Sequence, residues 1–206
     1  MARIDDYKMA KELAVKKLKE LSLAELKRRS LFDLKDDSTF IVPFLGEVYE
    51  VSYPDFEFKN TKEPEKEISI IEEVLILHYF KAVPFVDEHF KWISFREIPG
   101  TGFYFSAFTK RAIDPLRKVF GFQLEKFEKV SKLLGGKPLD VGDKGFEFWV
   151  FPRVPIRLIL WMGDEEFPPE ANILFRSSID KILSPEDIVW TASLLVYKMI
   201  GMSKKL

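Results

Sequence analysis

Phe146-Glu147-Phe148-Trp149-Val150-Phe151-Pro152-Arg153-Val154-Pro155-Ile156-Arg157-Leu158-Ile159-Leu160-Trp161 is the stretch on which the fold turns. Two apolar runs, 146–151 and 156–161, flank a joint made stiff by Pro152 and Pro155. Proline cannot donate to a β ladder, so the joint parts two strands instead of lying inside one. The two strands are expected to be neighbours, and Asn172 to Phe175 supplies a third. Further upstream, Phe40-Ile41-Val42 and Val48-Tyr49-Glu50-Val51 read as a hairpin turning at Leu45-Gly46. Strands therefore come in hairpin-like runs and helices in groups, which is the α+β pattern and not the alternating α/β one. The expected architecture is an antiparallel sheet with helices packed on one face.

The helices are read from spacing and caps. Tyr7, Ala10, Leu13, Ala14, Leu18 and Leu21 recur at helical intervals, so residues 5–21 form an amphipathic helix. Ser22 with Glu25 is a capping box that restarts a short helix through Arg29. Residues 59–66 are polar and read as a loop. Residues 67–82 are apolar nearly all round, from Ile68 to Phe80, and a helix of that kind is buried. It is the expected central helix of the core. Residues 83–104, with Phe85, Phe90, Trp92 and Phe95, read as an irregular aromatic segment. Residues 103–113 look helical, and Asp114-Pro115 reads as a cap and first-turn proline that restart a helix to Gly121. A further helix runs from Leu124 to Leu134 and ends at Gly135-Gly136. Ser184-Pro185-Glu186-Asp187 opens a closing helix that Gly201 is expected to stop.

A chain of 206 residues fits a single domain over 1–206, with 1–30 as a peripheral helical segment. Its 47% hydrophobic content and 20 phenylalanines exclude a disordered chain. It has no cysteine, which rules out disulfides, zinc–thiolate sites, bound iron–sulfur clusters and a cysteine nucleophile within the chain. The N-terminus is charged and then amphipathic, unlike a signal peptide, and no apolar run reaches membrane-spanning length. The expectation is a cytoplasmic protein that engages no membrane. A net charge of −1 gives no pull toward nucleic acid. Charge is nonetheless uneven: residues 1–30 carry 9 Lys and Arg against 5 acids, and residues 47–73 carry 9 acids against 3 lysines. Either these are two solvated faces that meet, or the basic helix docks on an acidic partner. The 32% of charged residues, with no cysteine, leans toward a thermophile.

The densest polar feature is Trp161-Met162-Gly163-Asp164-Glu165-Glu166-Phe167-Pro168-Pro169. Acids fixed at a strand end by glycine and proline can hold a cation, accept from a basic group or act as a general base. The plain alternative is a solvated turn with aromatic anchors. Arg96, before Pro99-Gly100-Thr101-Gly102, and Arg153, between Pro152 and Val154, are the candidate partners, with Lys110, Arg111 and Arg157 near them in sequence. A guanidinium in a stiff aromatic setting suits carboxylate or phosphate recognition because its planar fork grips two oxygens. Internal salt bridges are the alternative. The expected ligand-binding set is Arg96, Arg153, Asp164, Glu165 and Glu166, sharing one surface site. His78 reads as a core histidine, and with His89 it gives no metal spacing. Gly100-Thr101-Gly102 is a weak phosphate-loop signal, and Asp140 to Gly145 reads as a turn. Neither a cofactor nor a metal is expected.

Trp161-Met162-Gly163-Asp164-Glu165-Glu166-Phe167-Pro168 also resembles an uncharacterised domain family of anaerobic bacteria and archaea. Leu77-His78-Tyr79, Trp92-Ile93-Ser94-Phe95-Arg96-Glu97 with Pro99-Gly100, and Phe151-Pro152-Arg153-Val154-Pro155 carry the same resemblance from about residue 40 to the end. Members of that family stand alone or are fused to a four-cysteine iron–sulfur domain similar to the one in corrinoid iron–sulfur proteins. The resemblance implies a redox or one-carbon context. With no cysteine here, any cluster belongs to a partner, so the implied partner is a corrinoid or iron–sulfur protein. Arg176 follows Ile173-Leu174-Phe175 where the resemblance leads one to expect an acid, which counts against a site at that position. Two functions follow: an accessory binding domain for such a metalloprotein, or an enzyme on a small anionic substrate with arginines binding and Asp164, Glu165 or Glu166 as base.

Overall fold

The computed structural model describes residues 4–84 and 89–206. Its contacts divide into two compact units, one of Met1–Val86 with Lys181–Leu183, the other of Asp87–Asp180 with Ser184–Leu206. Each unit has its own antiparallel sheet, so the α+β class holds, but with two sheets instead of the expected one. The upstream hairpin and the three later strands are the seeds of separate sheets, a partition that strand propensity does not encode. Phe85 and the chain's first three residues lie outside the described residues.

The first unit opens with α1 (Ile4–Leu18) and α2 (Leu23–Ser30), the latter capped by Ser22 Oγ accepting from the Glu25 N–H. Strands β1 (Asp33–Leu34), β2 (Thr39–Phe44), β3 (Glu47–Ser52) and β4 (Phe58–Asn60) form a meander in sequence order. The β2–β3 turn is Leu45-Gly46, both at positive φ (50° and 76°), the backbone of a two-residue hairpin turn. β4 overlaps the start of the 59–66 stretch expected to be loop; three residues at a sheet edge leave too short a pattern to read. Helix α3 (Ile70–Phe80) begins where the Glu72 carboxylate accepts from the Ser69 N–H. It is the buried helix expected, with Val74, Leu75, Ile76, Leu77, Tyr79 and Phe80 all buried. Phe80 packs among Phe32, Phe40 and Phe56 at ring separations of 5.0, 4.9 and 5.8 Å. The basic N-terminal segment meets the acidic stretch: Lys11 pairs with Glu73 and Lys19 with Asp55, each at 2.8 Å.

In the second unit the sheet order is β5-β9-β8-β7-β6, from β5 (Trp92–Ser94), β6 (Lys137–Leu139), β7 (Lys144–Phe151), β8 (Val154–Trp161) and β9 (Glu170–Arg176). β7 and β8 are adjacent, as expected, and antiparallel, but the joint is shorter than expected: Pro155 lies inside β8 opposite Trp149, where the ladder shifts register and a proline is tolerated. One face of the sheet carries Phe146, Phe148, Ile156, Leu158, Ile173 and Phe175, all buried. The helices α4 (Phe105–Phe108), α5 (Asp114–Phe120), α6 (Leu124–Leu133) and α7 (Pro185–Ser203) complete this unit. α5 lies against β9 and α6 against β7, while α7 packs on α4, α5 and α6.

Several helix boundaries differ from expectation: α1 ends at Leu18 and not at 21, and α3 spans Ile70–Phe80 and not 67–82. Asp114 is not a cap: its backbone is helical, and its N–H donates to the Thr109 carbonyl across a π turn over Thr109–Ile113. The widened turn carries the chain past Pro115, whose missing N–H and bulky ring would otherwise break the helix. Gly201 does not stop α7, which runs to Ser203; a glycine in a helix costs about 1 kcal/mol, less than the buried contacts of α7 supply. Among the described residues, no helix is long and apolar enough to cross a membrane.

Candidate anion-binding site

The polar residues of the second sheet interrupt its apolar strands at alternate positions, so they gather on the face away from the helices. Glu147 pairs with Arg157, Arg157 with Leu174, and Trp92 with Arg176. Residues directly opposite one another across strands share a face. The Arg157 Nε donates to the Glu147 carboxylate at 3.0 Å, and the guanidinium lies 3.8 Å from the Trp92 ring centroid. Trp92 meets Phe90 edge-on at 5.9 Å. The Arg176 guanidinium is in turn 3.9 Å from the centroid of Phe90 and 5.0 Å from that of Trp149. One connected row of side chains results, running Glu147–Arg157–Trp92–Phe90–Arg176–Trp149.

Arg176 is the distinctive member. Its Nε is buried without a hydrogen-bond partner, and it makes no ion pair with any described residue. Two rings fix its plane, so little side-chain freedom is left to lose when an oxyanion arrives. Trp149 is 45% exposed and forms the open edge of the cluster. Arg153 sits in the tight turn between β7 and β8, at the same end of the sheet as Trp149.

The expected five-residue site is not assembled. Arg153 precedes β8 and Asp164 follows it, so the length of an eight-residue strand, roughly 25 Å, parts Arg153 from the acids. A small molecule cannot touch both ends. Strand β5 runs away from Arg176, and Arg96 lies beyond it on a short helical turn, exposed and 3.8 Å over the Phe105 ring. The Asp164 carboxylate is consumed by its own turn: Oδ1 accepts from the N–H groups of Phe167 and Glu166 at 2.7 and 2.8 Å, which holds its pKa below the ordinary aspartate value. Glu165 and Glu166 are exposed. Thr101 donates to the carbonyls of Phe95 and Ile98, so the Gly-Thr-Gly segment is a closed turn.

Sequence reasoning named Arg157 among neighbours and treated Arg176 as evidence against a site; both are central. The signal was present in the alternation: Glu147 and Trp149, Arg157, and Arg176 fall on the same parity of their strands. A groove of about 640 Å³ along α1 is lined by Lys8, Lys11, Glu12, Val15, Lys16, Lys19 and Ile70. Two of its lysines are already paired with Glu73 and Asp55.

Fold and site together define an α+β protein with an arginine–aromatic face on its second sheet. The chain belongs to the family described as Domain of unknown function (DUF3786), whose model matches residues 22–198. The match takes in the whole arginine–aromatic cluster and leaves α1 outside. No curated protein and no solved structure matches the chain.

Proposed function

We propose that this chain is a binding domain that recognises an anionic group through Arg176 and its neighbours on the outer face of the second sheet. The observation that carries the reading is a guanidinium held against Phe90 and Trp149 with no ion pair among the described residues. A cation held flat against two rings is preorganised for a carboxylate or phosphate. The resemblance of the Trp161–Pro168 and Phe151–Pro155 stretches to a domain family of anaerobes supports a finer setting. In that setting the chain is an accessory domain in the cytoplasm of a thermophilic anaerobe, serving a corrinoid or iron–sulfur protein in redox or one-carbon chemistry.

The test is thermal unfolding of the whole chain with millimolar citrate or inorganic pyrophosphate. The wild type should be stabilised and Arg176→Gln should lose that stabilisation; equal shifts in both would overturn the reading. An absorption spectrum and native mass spectrum of anaerobically purified protein with its co-purifying partner test the setting. A corrinoid or cluster signature is the expected result.

A further inference from the structure

Helix α1 packs on α3, and its buried residues Ala14 and Leu18 mark the inner side. On the outer side Met9 and Leu13 are 62% and 55% exposed. Residues four apart on a helix stand one turn above the other, so these two form a single apolar row.

The charges beside the row have a definite order. Asp5 and Asp6 lie in the first turn of α1 and Lys16 and Lys17 in the last, which suits the helix dipole, and all four are exposed. Lys16 follows Asp5 by eleven positions, as Lys17 follows Asp6, and that step is about three helical turns. Asp5 and Lys16 therefore run along one flank of the Met9–Leu13 row, and Asp6 and Lys17 along the other. Glu12 and Glu20 also border the row, and each has lysines one turn away on its own helix: Lys8 and Lys16 for Glu12, Lys16 and Lys17 for Glu20. Lys11 and Lys19 belong to the groove side and pair with Glu73 and Asp55. There α3 contributes Ile70, and Lys66 and Glu67 lie beside Ile4 and Lys8.

A reversed copy of the same helix matches this pattern. A two-fold axis beside Lys11 sets Met9 against Leu13 of the second copy and brings the first turn of each helix to the last turn of the other. The axis keeps each flank facing its like, so Asp5 meets Lys16 and Asp6 meets Lys17, each twice over. Parallel pairing would set acids against acids and lysines against lysines. An anionic membrane or a nucleic acid would meet four acids, Asp5, Asp6, Glu12 and Glu20, against two lysines, Lys16 and Lys17.

We propose that α1 is a self-association helix, through which two copies of the chain pair antiparallel on Met9 and Leu13, with Asp5–Lys16 and Asp6–Lys17 contacts across the seam. One helix from each copy buries less than the roughly 1,200 Å² of a standard interface, so the dimer is weak and depends on concentration.

The test is sedimentation equilibrium of the whole chain from micromolar to millimolar concentration. Met9→Ser with Leu13→Ser, and Lys16→Asp with Lys17→Asp, change only exposed side chains, and circular dichroism checks that the fold is kept. The wild type should pass from monomer to dimer, less readily at high salt, and each double variant should weaken the dimer roughly tenfold or more. Orientation is read by cross-linking. The chain has no cysteine, so Asp5→Cys and Lys16→Cys each carry one thiol. A short bismaleimide should link the mixed variants to each other and leave Asp5→Cys alone unlinked. A wild type that stays monomeric throughout, or a dimer that neither double variant weakens, overturns the proposal. So does Asp5→Cys that links to itself as readily as to Lys16→Cys, since the helices would then run parallel.

Discussion

Arg176 and Trp92 stand directly opposite each other across β9 and β5, yet each is engaged by a different neighbour. Trp92 takes the guanidinium of Arg157 on its face, and Arg176 turns to Phe90 and Trp149. The cross-strand pair thus couples two cation–π contacts into one layer.

Removing the shared ring should be felt at both. Trp92→Leu keeps an apolar side chain on the strand but takes away the surface under Arg157. A loss of about 1–2 kcal/mol is expected for a cation–π contact that is partly desolvated. Urea denaturation reads it, and an unchanged midpoint would mean that the stacking is incidental. Anion-induced stabilisation should also fall, because Phe90 loses the ring that braces it at 5.9 Å.

The core of the first unit is equally testable. Leu75 is 1% exposed on α3. Leu75→Ala should destabilise by about 2–5 kcal/mol through lost burial and the cavity left behind. An unchanged melting temperature would remove α3 from the core.

Some of this architecture could be read from the residues and some could not. α3 and the β7–β8 pair were readable because each is long and apolar, though Ser69 as the start of α3 and Pro155 as a residue of β8 were not. The edge strands β4, β5 and β6 were not, since three residues carry too little periodicity to separate from loop. Asp114-Pro115 misled because the same dipeptide that opens a helix can be carried through one by a π turn. The site failed for a different reason. Arg153 and Asp164 are eleven positions apart in sequence, and whether such residues meet depends on whether the chain between them folds back or runs straight. Here it runs straight as β8. Arg176 was passed over because its worth comes from Phe90 and Trp149, which only sheet register brings to it.

Glu128 on α6 ties the helix to the sheet and gives a pH signature. It accepts from Lys132 at 2.7 Å and from Lys144 on β7 at 2.6 Å, and these two ammonium groups lower its pKa from 4.5 to about 2. A depressed folded-state pKa means that the pairing stabilises above the unfolded value and is lost as pH falls through the folded one. The stability difference between wild type and Glu128→Gln should therefore be constant near neutrality and close between pH 4.5 and about 2. A gap that stays constant across that window would show that the carboxylate charge contributes nothing.

The last prediction sets two glycines against each other. Gly163 lies where a Cβ would fall 2.6 Å from the Pro169 ring and 2.7 Å from Phe122, so an added methyl must push the β8–β9 turn away from Gly121. Gly163→Ala should cost about 1–3 kcal/mol as an overpacked position. Gly201 is inside α7 with nothing within 4 Å of a new Cβ. Gly201→Ala should instead stabilise by about 0.5–1 kcal/mol, because alanine restricts the unfolded chain and suits the helix better. Urea denaturation of the two variants side by side checks both signs. If Gly163→Ala proved neutral, the turn would not be seated against Pro169 and Phe122.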